Sequence, residues 1–129
     1  MAISRSPILL LAAAAFGTIF VGFGINAILR PAHALTFFEF ARPPASAADR
    51  QLVDSLMIIY GARDVFMGLA IYAAAYFGNR KALGSIVLAA SAVAAVDGAV
   101  CKMNGEGEWA HWGYAPMVAL VGALLLGPA

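Results

Sequence analysis

The chain has 129 residues, 63% of them hydrophobic and 12% charged, with a net charge of +1. A soluble domain this small cannot bury so much apolar surface, and the absence of a basic block excludes a nucleic-acid partner. The single cysteine, Cys101, excludes an internal disulfide. The composition therefore predicts one integral membrane domain over residues 1–129, with membrane lipids as its immediate partners.

Pro7 sits where a helix favours its first residue. Ile8–Leu29 is an uncharged run long enough to cross a hydrocarbon core of about 30 Å; it ends at Arg30-Pro31. A cleaved signal peptide competes for this segment, with Arg5 as its basic lead and Ala32-His33-Ala34 as a cleavage site. The apolar run is too long for that, and three further spans follow. His33–Asp49 is the longest connector. Leu35, Phe37, Phe38 and Phe40 give it an interfacial character, with aromatics dipped toward lipid, and Pro43-Pro44 ends any helix.

Asp49 is the expected cap of a second helix running to Phe77, where Tyr72, Tyr76 and Phe77 form an aromatic belt. Gly78-Asn79 makes a turn, and Arg80 and Lys81 mark the next surface. Ala82–Lys102 is the third span, rich in the Ala, Gly and Ser that let membrane helices approach closely. After the Asn104–Gly107 loop come Trp109, Trp112 and Tyr114. The fourth span is Trp112–Leu126, with Pro116 in its first turns. The fold class is thus all-α: a four-transmembrane-helix bundle with an interfacial segment between helices one and two. The termini share one side, which carries Arg5, Arg80 and Lys81 and no acid. That side is the cytoplasmic choice, although Lys and Arg counts on the two sides are nearly equal. Bacterial inner membrane and eukaryotic endomembrane stay equally open.

Arg63 and Asp64 interrupt the second span, and an intramembrane charge is costly unless it faces protein, a cavity or a partner. Helix direction places Asn26, Arg63, Asp64, Asp97 and His111 in the same half of the membrane. Successive residues on a helix do not face each other, so Arg63 is expected to reach across to Asp97. Asp64 is then left to Asn26, Tyr60 or His111. Tyr60, Gly61, Asp64 and Gly68 share one helical face and should line the interior. The candidates for chemistry are Asp64, Arg63, Asp97 and His111; those for substrate contact are Asn26, Tyr60, Arg63 and Asp64. A buried Arg–Asp pair can equally serve helix register alone. His33, in a loop without a positioned partner, and Cys101, on the face of Asp97, are expected to be plain structural residues. Asp64, Asp97 and His111 resemble a two-carboxylate, one-histidine metal set, but Arg63 already supplies the positive charge there. No metal or cofactor is expected, and no nucleotide, nucleophile-elbow or C-x-x-C motif is present.

With Gly61-Ala62-Arg63-Asp64, Val96-Asp97-Gly98 and His111 in hand, the chain resembles a family of small four-span integral membrane proteins known as a domain of unknown function. It is similar in size and layout to DoxX-like four-helix membrane proteins. The resemblance covers almost the whole chain except the Phe-rich, Pro-Pro connector. It implies the fold and the polar cluster and no activity. Three functions are compatible with these residues. One is an accessory or structural membrane component. Another is a membrane-embedded enzyme of isomerase, cyclase or oxidase type acting on a lipophilic small molecule. The last is a small homo-oligomeric transporter or proton-conducting component. The connector is placed to cover the pocket as a lid.

Overall fold

The computed structural model describes residues 3–127. Helix α1 spans Pro7–Leu29 and opens with the Ser6 side chain accepting from the Ile8 N–H. The connector holds a short helix, α2 (Pro31–Leu35), and a 3₁₀ turn, Thr36–Phe38. Helix α3 (Ala47–Phe77) is capped by Ser46, whose hydroxyl accepts from the Asp49 N–H at 3.0 Å. Asp49 therefore lies in the first turn, where its charge suits the positive end of the helix, and the cap is three residues earlier than expected. Asn79 caps α4 (Arg80–Asn104), accepting from the Ala82 N–H. The fourth span is broken into α5 (Trp109–Trp112) and α6 (Ala115–Leu126), with Gly113 and Tyr114 between them. The break falls just after Trp112, where the fourth span is expected to begin, and the added element is the short helix α5 before it.

Four segments are long and apolar enough to cross a membrane: Pro7–Leu29, Ala47–Phe77, Arg80–Asn104 and Trp109–Leu126. The protein is an all-α, multi-pass membrane bundle. At about 1.5 Å per residue, α3 exceeds the hydrocarbon thickness by several turns. Its first turns, which carry Arg50, Gln51 and Asp54, extend beyond the apolar core on the connector side.

Glycine decides how the helices meet. A Cβ added to Gly24 would lie 2.5 Å from the Gly61 carbonyl oxygen, and one added to Gly61 would lie 2.5 Å from that of Gly24. Gly17 and Gly68 form a second such pair seven residues along each helix. α1 and α3 are therefore antiparallel and in backbone contact along one seam, a geometry open only to residues without a Cβ. Gly22 meets nothing and takes no part in it. On the other side of the bundle Gly84 faces Gly122, so α4 and α6 form a second tight pair. The two pairs then pack together through α3 against α4 and α1 against α6. Between them, at the end holding the termini, lies a core of Leu9, Phe20, Ile71, Leu83, Val87, Val118 and Leu125. Tyr72, read as part of the aromatic belt, also hydrogen-bonds Thr18 across the first pair. Arg80 ties the same end by donating to the Ser4 and Ser6 carbonyls, each at 2.9 Å.

The connector does not lie flat on lipid. Ala34 and Phe38 turn inward and pack with Ala27, Met57 and Cys101 in a second, smaller core. Ala41 N–H donates to the Asn104 carbonyl at 2.9 Å, and Phe40 bridges to Gly105, which fastens the connector to the α4–α5 turn. Unpaired backbone groups are costly near the apolar phase, and this bridge satisfies some of them. Ala32-His33-Ala34 is helical and Ala34 is buried. Cleavage there would strip α3 of its closest neighbour.

Candidate functional site

The polar cluster sits where the two helix pairs meet, between the two cores. Arg63 of α3 extends toward α4 and grips Asp97 with both ends of its fork, Nη2 to Oδ2 at 2.9 Å and Nη1 to Oδ1 at 3.2 Å. The same guanidinium holds Asp64, through Nη2 at 3.0 Å and Nε at 3.2 Å to Oδ1. The expectation that Arg63 and Asp64 would not pair is therefore incorrect. Their Cβ directions diverge, but the arginine stem is long enough to fold its head back over the neighbouring carboxylate. Of five guanidinium N–H donors, four are engaged. Cζ of Arg63 also lies 4.3 Å from the centre of the Tyr60 ring, a cation–π contact. Asp64 is 2% exposed, whereas the side chain of Arg63 is 37% exposed. Gly61, Asp64 and Gly68 are buried as their shared face predicts, and Tyr60 is half-buried at its edge.

Asn26 does not serve Asp64. Its Oδ1 meets His33 Nδ1 at 3.1 Å, while its Nδ2 is buried without a partner. His33, expected to have no positioned partner, thus has one on α1. Cys101 is fully buried in the smaller core.

His111 is the outlier of the site. It is 4% exposed, and neither Nδ1 nor Nε2 has a hydrogen-bond partner. Its ring lies 5.1 Å from Phe38, tilted by 38°. It borders a chamber of about 110 Å³ lined by Phe23, Ala34, Phe37, Phe38, Tyr60, Ala110 and Tyr114. Burying a polar group without a partner costs free energy that a ligand or water can recover. Phe38 and Tyr60, whose rings meet edge to face at 5.2 Å, also line a larger groove of about 790 Å³. That groove runs between the connector and the projecting turns of α3, past Leu35, Pro44, Leu52, Val53 and Met57. These two rings are therefore a common wall between groove and chamber.

Sequence reasoning gathered Asn26, Arg63, Asp64, Asp97 and His111 at one level but missed the chamber around His111. Phe37 reads as lipid-facing and Tyr114 as a belt aromatic. Phe38 was legible in principle, because Ala34 and Phe38 are four apart and share a face once Pro31–Phe38 is taken as helical. Glu108 is 4% exposed and accepts from Lys102 Nζ at 2.7 Å. That bond holds the Glu108 carboxyl below the usual carboxylate range. Among the described residues no group of His, Cys, Asp and Glu is placed to hold a metal ion, so Asp64, Asp97 and His111 do not form the set their residue types suggest.

Gly98 owes its place in the motif to packing. A Cβ there would collide with the Trp112 ring, which lies across α4 and donates from Nε1 to the Ala95 carbonyl at 3.0 Å. No curated protein and no solved structure matches the chain, and the likeness to DoxX-like proteins gains nothing from either comparison. A family model matches residues 17–125, from Gly17 of the first helix seam to Leu125 of the core, with Arg63, Asp64, Asp97, Gly98 and His111 all inside. By that match the chain belongs to the family described as Domain of unknown function (DUF4267).

Proposed function

We propose that this protein binds a lipophilic small molecule inside the membrane, in the chamber closed by the connector, with His111 as its polar contact. The observation that supports this is the pair of unpartnered, buried ring nitrogens facing an aromatic-lined space. Small-molecule sites are mostly apolar with a few placed polar groups, and this chamber has that composition. Lipophiles reach it by way of the bilayer, since Phe23 and Phe37 on its rim are each 39% exposed. Tyr60 is part of the chamber wall, and Arg63 and Asp97 fix that wall by joining α3 to α4. Catalysis would extend the same reading. A neutral imidazole in a water-poor site can accept and return a proton, as an isomerisation or cyclisation requires.

An accessory role is the second reading, favoured by a different observation. Arg63 spends four donors on two carboxylates of its own chain, which is what a purely structural clamp would do.

The test is to purify the protein in lipid nanodiscs, extract it with organic solvent and weigh the recovered lipophiles. A compound enriched over empty nanodiscs in the native protein and lost from His111→Phe supports binding. Equal recovery from both, or no enrichment, refutes it and leaves the accessory role.

A further inference from the structure

The class of molecule follows from charge and donor count around His111. One guanidinium faces two carboxyl groups beside the chamber, so the cluster offers no positive surplus while either of them is ionised. Arg63 is also turned away from an incoming anion, because its fork is occupied by Asp64 and Asp97. A carboxylate or phosphate head in the chamber would find no cation among its lining residues; Arg42 and Arg50 line the groove beyond. A neutral imidazole carries one N–H donor and one bare acceptor nitrogen, and both are unpaired here. A hydroxyl is the smallest neutral group that satisfies either nitrogen.

Size gives the rest. An engineered cavity of about 150 Å³ takes benzene, so about 110 Å³ takes a compact head of that order and no more. The remainder of a longer molecule can occupy the neighbouring groove of about 790 Å³ beyond Phe38 and Tyr60. Phe38 is 8% exposed and touches His111, Tyr60 and Phe40, so its ring stands where the head and the tail of such a ligand would join.

Resting on the ligand-binding reading above, we infer that the occupant is a neutral lipophilic alcohol, its hydroxyl on His111 and its apolar tail in the groove past a displaced Phe38 ring. The two halves of the site are then one, and the connector is the part of the chain that determines which tail is accepted.

The experiment compares three probes of equal chain length, 1-dodecanol, dodecanoate and dodecane. Protein labelled with ¹⁵N-histidine is held in nanodiscs, with His33→Gln used to assign the His111 signals. Dodecanol should shift both His111 ring resonances and reach half-saturation at about a tenfold lower mole fraction than either other probe, the difference one net hydrogen bond makes. Phe38→Ala should lower that mole fraction further, and Phe38→Trp should raise it. A stronger response to dodecanoate, or an equal response to dodecane, overturns the alcohol assignment while leaving ligand binding intact. Silence toward all three removes the binding reading as well. An unchanged response in both Phe38 variants overturns the path into the groove.

Discussion

Replacing Arg63 by leucine should be the most damaging single change in the polar cluster, and the geometry says by how much. Arg63→Leu strands two carboxylates at once, Asp64 at 2% exposure and Asp97 with 13% of its side chain exposed. Breaking a buried ion pair from one side costs about 3–5 kcal/mol; the lower half of that range applies because a third of Arg63 already meets solvent. Asp97→Leu removes two charge-assisted bonds, but the guanidinium keeps Asp64 as counter-ion, so the cost should be about 1.5–3 kcal/mol. The double variant Arg63→Leu/Asp97→Leu still strands Asp64 and should remain clearly destabilised. Only the triple variant that also carries Asp64→Leu should recover most of the loss. Reversible unfolding in mixed micelles, followed by far-ultraviolet circular dichroism, measures all four. A double variant as stable as the native protein, or Arg63→Leu costing no more than Asp97→Leu, would refute the shared-arginine account.

Three further outcomes test the packing and the connector end. Gly61→Ala places a methyl 2.5 Å from the Gly24 carbonyl oxygen and 2.9 Å from Ile28, so it should cost about 1–3 kcal/mol. Gly22→Ala meets nothing and should leave stability unchanged or raise it by up to about 1 kcal/mol; the same micelle titration separates them. Gly98→Ala should push Trp112 off α4, break its bond to Ala95 and shift tryptophan emission. Trp109→Phe used as background isolates the Trp112 signal. Glu108, its carboxyl lowered by the Lys102 hydrogen bond, adds stability that is complete above the usual carboxylate pKa of about 4.3 and is lost as pH falls through the folded value. Amide protection factors in the α4–α5 turn should therefore be flat above that pH and fall below it, and Glu108→Gln should abolish the fall.

The fold was legible because a membrane limits what a chain can do. Apolar runs of about twenty residues, separated by Arg30-Pro31, Gly78-Asn79 and the Asn104–Gly107 loop, admit few arrangements. The level of the polar cluster was legible for the same reason: helix direction and rise convert residue number into depth. Partners within that level were not. Spacing along α3 says where Arg63 begins, but a side chain of that length chooses its partners by what the next helix presents, and it took both acids. Helix breaks were also hidden. Gly113-Tyr114 is too mild a signal to divide the fourth span, yet the division lets Trp112 cross α4 and buries His111. The connector was only partly legible: its place over the pocket was expected, but aromatics on a surface segment and aromatics closing a chamber have the same composition. Only the four-residue spacing of Ala34 and Phe38 hinted at the difference.

The most direct measurement of the central claim is photolabelling by a lipophilic alcohol carrying a diazirine in its chain, with the modified residues mapped by mass spectrometry. Labels should concentrate on Ala34–Phe38, Tyr60 and Ala110–Tyr114, and should fade there in His111→Phe. Labels spread evenly over outward residues such as Phe66, Leu69 and Leu120, unchanged by that substitution, would contradict a ligand chamber at the connector end.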